Sequence, residues 1–209
     1  EINRTSSKTQ SALLEAMEER QITVDGQTHP LEKPFVVIAT QNNVGTAGTQ
    51  LLPYAQMDRF MVRLSVGYPD HDAQMALLKD RLFENPLDSV SQALTREDLL
   101  AMQAEARTVQ TADALLDYVT RLTMASREHL KLEVGISPRG ALLLCRMAKA
   151  RAYLLGRSFA VSEDVQAVFE PVCAHRLIVS AKARLAGVSA EDVARELLAA
   201  VPNPDRAAL

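Results

Sequence analysis

The run Phe35-Val36-Val37-Ile38-Ala39-Thr40 constrains the fold most, because an unbroken apolar and β-branched segment reads as a central strand covered on both faces. Such a strand needs sheet neighbours and covering layers, so an α/β arrangement is expected. A second strand is predicted from Phe60 to Val66. Between the two lies the loop NNVGTAGTQLLP, whose two glycines permit unusual backbone angles, followed by a short helical turn containing Ala55, Gln56 and Met57. Upstream, residues 6–20 put Leu13, Leu14 and Met17 on one side, with Glu15, Glu18, Glu19 and Arg20 elsewhere, the pattern of an amphipathic helix. In QITVDGQTHPL, two β-prone arms flank Asp25-Gly26, the dipeptide that best tolerates the positive φ angles of a tight hairpin turn.

After Tyr68-Pro69-Asp70 the texture changes. No further strand-like run is seen, and helices are predicted near 71–84, 96–108, 112–130, 138–155, 163–177 and 190–201. A domain boundary is therefore expected at residue 70, with residues 1–70 forming an α/β part and 71–209 an all-α part. Thr95-Arg-Glu-Asp98 resembles a capping box, and Ser162-Glu-Asp and Ser189-Ala-Glu-Asp192 put acids in a first helical turn. With 209 residues and 47% apolar content, the chain can bury one ordinary core or two small ones. A net charge of −3 and no tryptophan give no electrostatic reason to expect nucleic acid as partner. Cys145 and Cys173 lie in apolar helical patterns without CxxC spacing or a His cluster, which reads as buried free thiols and not as a disulfide or zinc site. No apolar run approaches the roughly 20 residues that span a bilayer, so no membrane span is expected and the compartment is expected to be the cytoplasm.

Three places carry groups suited to phosphate chemistry. Ala39-Thr40-Gln41-Asn42 closes the apolar strand with an uncharged amide, able both to accept from a water and to donate to a phosphate oxygen; as a plain structural element, Asn42 caps the strand and starts the loop. Seventeen residues on, Gln56-Met57-Asp58-Arg59-Phe60 sets an arginine at the entry to the next strand, where its planar donor fork suits a phosphate, or where it forms a surface pair with Asp58. Arg63 is a weaker candidate for the same task. In Ser137-Pro138-Arg139, Ser is a good N-cap, Pro fits the first helical position, and Arg sits in the first turn against the helix dipole. A helix N-terminus with an added cation is a good anion site, although a harmless exposed arginine fits the same pattern.

Taken together, EINR, KTQSALLEAMEERQITVDGQTHPL, ATQN, LLPYAQMDRF, LSVGYPD and SPR occur in an order and spacing that resembles the MoxR family of AAA+ ATPases. The resemblance is close from residue 1 to about 70 and patchier through to about Arg176. It implies the C-terminal part of an AAA+ α/β core, with parallel strands and an inserted β-hairpin at 21–31, followed by a helical lid. It also implies roles. Glu1 would be the catalytic glutamate that ends Walker B, Asn42 sensor 1, Arg59 the arginine finger reaching a neighbouring subunit's nucleotide, and Arg139 sensor 2 on the nucleotide of its own subunit. The sequence departs from the family at Asn43, where Pro is common, and at Tyr54, where Glu is common; Tyr54 puts the surface around Arg59 in doubt.

No GxxxxGK[ST] occurs, and no Asp precedes Glu1, so the phosphate-binding half of such a site is missing and a longer natural polypeptide is expected. In an AAA+ sheet the P-loop strand normally lies between strands 35–40 and 60–66, which would then be separated by a gap. For the full-length protein the resemblance implies ATP with Mg²⁺ as cofactor, a homo-oligomer of hexameric form, and remodelling or maturation of protein partners, von Willebrand factor A domain proteins among them. Two rival readings are an ATP-independent interaction module and a DNA-associated AAA+ motor. Against the motor, Glu18, Glu19, Asp25 and Glu32 offset Arg20 and Lys33 around the hairpin, which leaves no basic stripe for phosphates. The 209-residue chain by itself is expected to bind Mg-ATP weakly or not at all; micromolar affinity in calorimetry on the isolated chain would contradict this.

Overall fold

A computed structural model of the chain describes residues 1–41, 52–81 and 85–204. The first turn of chain, Ile2–Arg4, is a 3-10 helix, and helix α1 follows at Ser7–Glu19. Ser6 caps α1 by accepting from the Thr9 N–H, and Arg20 ends it in the left-handed region. Strands β1 (Gln21–Val24) and β2 (Gln27–Pro30) form the expected antiparallel hairpin, with Val24 opposite Gln27. Asp25 and Gly26 both take positive φ, 50° and 77°, which is the requirement of a type I′ turn.

The predicted strands 35–40 and 60–66 differ from expectation. Neither has a ladder partner among the described residues, and a strand exists only as a member of a pair. Residue 40 makes one backbone link, through the Ile2 N–H to Thr40 O at 3.0 Å, and Arg63 N–H donates to Pro171 O at 2.9 Å. Val36, Ile38, Leu64 and Val66 are consequently exposed, Ile38 at 91% and Val66 at 99%. Phe35, Val37, Phe60 and Val62 are half-buried, while residues 38–40 and 63–66 are exposed on both faces.

Between them, helix α2 is the short turn Tyr54–Met57. Helices α3 (His71–Arg81), α4 (Arg96–Thr108), α5 (Asp113–Glu128), α6 (Pro138–Leu154), α7 (Ser162–Cys173), α8 (Ala181–Leu185) and α9 (Ala190–Ala200) make up the rest, with 3-10 turns at Pro86–Ser89 and Ala174–Arg176. The capping box Thr95/Asp98 forms as expected, and the acids of Ser189-Ala-Glu-Asp192 lie in the first turn of α9, where Ser189 and Asp192 form a further capping box. The part after residue 70 also contains strand pairing, contrary to expectation: β3 (Leu132–Val134) lies antiparallel to β4 (Ile178–Val179). Pairs this short leave no periodicity to read.

The core lies among α5, α6, α7 and α9. On α5, Leu115, Tyr118, Val119 and Leu122 recur at helical spacing and are buried, and on α7 Val165, Val168, Phe169, Val172 and Cys173 do the same. Each large side chain so buried contributes about 1.5–3 kcal/mol. Burial pushes the Cys173 thiol up to about 12, which makes it a packing group, while Cys145 is half-buried. Helix α3 has no buried residue.

At the start of α6 the packing admits only glycine. A Cβ on Gly140 would stand 2.8 Å from Arg176 Cδ and 2.9 Å from Ile136 Cγ2. Gly140→Ala is therefore expected to destabilise the chain by about 1–3 kcal/mol through overpacking, although alanine is the better helix former. Urea denaturation checks this, and an unchanged or raised midpoint would contradict it.

Candidate functional site

The sequence-predicted residues fall into two places at the two ends of α1. At its N-terminal end, Glu1 pairs with Arg4 at 3.0 Å on the surface. The Ile2 carbonyl accepts from the Thr5 hydroxyl at 2.8 Å and the Gln10 amide at 3.1 Å, which fixes the turn that carries Glu1. With Ile2 bonded to Thr40, Glu1 stands beside the end of segment 35–40, next to an open depression of about 310 Å³ bounded by Glu1, Thr5, Thr9, Val37 and Thr40. Asn42 lies outside the described residues.

At the C-terminal end of α1, Glu18 receives two arginines. Arg59 Nη2 donates to Glu18 Oε2 at 3.0 Å and Arg59 Nε lies 2.9 Å from Oε1, while Arg139 Nη2 donates to Oε1. Arg59 Nη1 also donates to Ala55 O at 2.7 Å, which folds the side chain back over α2. Hydrogen bonds from Arg59 and then Arg139 hold the Glu18 carboxyl at about 2, well below the ordinary carboxylate range. The two arginines, expected on opposite sides of a subunit boundary, thus share one carboxylate. The alternative Asp58–Arg59 surface pair is not formed, because Asp58 turns inward. Arg63 instead pairs with Glu191 on the surface.

Asp58 and Arg176 set this geometry. The Asp58 N–H donates to Tyr54 O at 2.9 Å, closing α2 and aiming the carboxylate at the helical core. There Arg176, a fully buried guanidinium, donates from Nε to Asp58 Oδ1 at 3.0 Å and from Nη2 to Asp58 O at 3.0 Å and Phe60 O at 2.6 Å. Its Nη1 reaches Val172 O, one of the last-turn carbonyls of α7 that lack a helical partner. The Ser137 hydroxyl lies 3.1 Å from both Asp58 carboxylate oxygens and accepts from the Gly140 N–H at 3.0 Å, so the N-cap of α6 is tied to the same acid. Asp58 and Ser137 each precede their arginine by one or two residues, and their bond brings Arg59 and Arg139 together. His175 Nε2 lies 2.6 Å from Arg176 Nη1 and 3.1 Å from Phe60 O, so the imidazole sits between a fixed cation and a carbonyl. Burial, with Arg176 adding to it, lowers His175 to about 4. The Tyr54 hydroxyl is buried with no partner among the described residues.

Sequence reasoning missed Glu18, Asp58 and Arg176 as members of the site. For Arg176 a signal existed, because Phe169, Val172, Cys173 and Arg176 recur at helical spacing, which puts a charge on an apolar face.

The hairpin between two chain segments, the carboxylate beside segment 35–40 and the arginine at the start of a lid-like helix define an AAA+ core fragment with its lid. The sequence family described as "ATPase family associated with various cellular activities (AAA)" matches residues 1–62, and the "AAA lid domain" matches residues 124–197. The chain is 39% identical to YeaC of Bacillus subtilis, over 98% of this chain and 64% of that protein, and 36% identical to "Chaperone MoxR1" of Mycobacterium tuberculosis, over 98% and 56%. The crystal structure of "a putative ATPase" from Cytophaga hutchinsonii superposes with a TM-score of 0.91 at 33% identity, over 97% of this chain and 64% of that one. The chain belongs to the MoxR family of AAA+ ATPases. It spans somewhat over half the length of these relatives. No helix among the described residues is long and apolar enough to cross a membrane.

Two acid-sensitive windows follow from the shifted groups. The unfolded chain protonates His175 near 6.5 and the folded chain resists to about 4, so stability present above pH 6.5 falls as pH drops through that window. Glu18 has a lowered folded value, so its contribution is complete above about 4.5 and is lost as pH falls towards 2. The difference in Tm between the wild type and Glu18→Gln is expected to stay constant from about pH 7 to 5 and to shrink below about 4.5. A difference that is flat down to pH 3 would show that the Glu18 carboxylate is not held by the arginines.

Proposed function

We propose that this chain supplies both halves of a shared ATP-hydrolysis site, one at each end of α1: Glu1 for its own subunit's nucleotide, and the Arg59–Arg139 pair for the nucleotide of a neighbouring subunit. The observation that carries the reading is the convergence of the two arginines on one carboxylate at the end of α1 far from Glu1. Ser7 and Glu18 are separated by roughly 16 Å at 1.5 Å per residue, further than an arginine reaches. Sensor 2 would then act in trans, beside the finger, and not on its own subunit's nucleotide.

The residues fit Mg-ATP. Two guanidinium groups that already bracket a planar two-oxygen anion suit the oxygens of a γ-phosphate, and Mg²⁺, which keeps several waters and binds through phosphates, needs few protein ligands. When bound, Mg²⁺ neutralises charge on the phosphates. Glu1 orients and polarises the attacking water, Asn42 contributes an amide to the same group by the family pattern, and Arg59 and Arg139 stabilise charge that develops on the transferred phosphoryl. The homo-oligomer this requires is hexameric in the reading, and the cytoplasm is its compartment. Its work is the remodelling or maturation of protein partners, with von Willebrand factor A domain proteins as the class to test first. The name of the mycobacterial relative as a chaperone supports protein partners. The boundary near residue 70, between core fragment and lid, belongs to the same reading.

Mixing subunits of the full-length protein tests it. Glu1→Gln alone is expected to keep ATP binding and lose hydrolysis by several orders of magnitude, and Arg59→Ala and Arg139→Ala to lose it as well. Mixtures of Glu1→Gln with either arginine variant should regain activity, since an intact Glu1 then meets an intact arginine pair. Mixtures of Arg59→Ala with Arg139→Ala should stay inactive, because every pair lacks one member. Rescue in that last mixture would return Arg139 to its own subunit's nucleotide; no rescue in any mixture, with hexamers formed, would remove Arg59 from the site.

A further inference from the structure

Glu18 has no place in the family reading of the site, yet it is the group on which both arginines converge. We propose that Glu18 is a positioning residue that holds Arg59 and Arg139 together as one anion-binding fork; this rests on the reading of those two arginines given above. Two guanidinium groups brought to one point repel each other unless an anion lies between them. Glu18 is that anion, on the last turn of a helix that is capped at both ends and packed through Gln10 and Ala16.

Glu18 could instead be a plug that fills the fork and must leave before a phosphate enters. Donor accounting favours the positioning role. Arg59 uses one hydrogen on each terminal nitrogen, towards Ala55 O and Glu18, while its Nε lies 2.9 Å from Glu18 Oε1 without a hydrogen bond, and Arg139 uses one hydrogen of Nη2. A guanidinium has five N–H donors, so at least two on Arg59 and four on Arg139 have no partner among the described residues while Glu18 is in place. A phosphate can therefore be bound with Glu18 still seated. The nearby charges agree. Asp58 is taken up by Arg176 and Ser137, which leaves Glu18 as the anion that faces the two arginines.

The test compares Glu18→Gln and Glu18→Asp with Arg59→Ala and Arg139→Ala in the full-length protein. Glu18→Gln keeps the shape of the side chain and removes its charge, and Glu18→Asp keeps the charge with a shorter reach. Glu18→Gln is expected to lower kcat by roughly 10- to 100-fold with KM for ATP unchanged, as misplacement of catalytic groups does. Glu18→Asp should recover part of that loss, which a residue needed only for helix packing would not show. In mixtures, Glu18→Gln should be rescued by Glu1→Gln and not by Arg59→Ala, because its defect lies on the same face as the fork. A raised kcat in Glu18→Gln would make Glu18 a plug, and an unchanged kcat would leave it no role; either overturns the proposal. Rescue by Arg59→Ala would put Glu18 in its own subunit's site and overturn it too. If Arg59→Ala and Arg139→Ala themselves turn over at wild-type rates, the underlying reading fails and not the Glu18 step alone.

Discussion

The ion pair between Asp58 and the fully buried Arg176 is the constraint on which the rest depends. A buried guanidinium is tolerated only when its donors are satisfied, and Arg176 meets that condition by bonding to Asp58 and Phe60 in one stretch of chain and to the end of α7 in another, with its neighbour His175 alongside. Its aliphatic stem presses on Gly140, which rules out any larger residue there without a shift. Ser137 adds the start of α6 to the same acid. One carboxylate thereby sets the register between residues 52–63 and the helical part of the chain. The arginines beside Asp58 and Ser137 in sequence become neighbours in space as a result.

Much of the fold could be read from the sequence because the signals were local. The α1 amphipathic face, the Asp25-Gly26 turn and the Ser/Thr–Asp capping boxes each rest on residues within four positions of one another, and each formed. Segments 35–40 and 60–66 did not become strands, although their β-branched composition is unambiguous, because ladder formation depends on a partner and composition does not supply one. The β3–β4 pair was missed for the opposite reason: it joins residues far apart in the chain through strands of three and two residues.

Arg59 and Arg139 stand out in the sequence by residue type and position, and their common contact does not. The family resemblance implies separate nucleotides for them. Their common partner Glu18 looked like one more solvated charge on a helix face, since nothing in the spacing of residues 18, 59 and 139 reveals a long-range contact. The surface pair with Arg59 that sequence adjacency offers as the alternative for Asp58 does not form, because the backbone of α2 turns Asp58 towards Arg176.

Cryo-electron microscopy of the assembled full-length protein with a non-hydrolysable ATP analogue tests whether Arg59 and Arg139 act together on a neighbouring subunit's nucleotide. The Arg59 and Arg139 guanidinium groups of one subunit are expected both to lie within hydrogen-bond distance of phosphate oxygens held by the next, with Glu1 of that next subunit at the same phosphate. Arg139 on the nucleotide of its own subunit, with Arg59 apart from it, would overturn the shared-site reading.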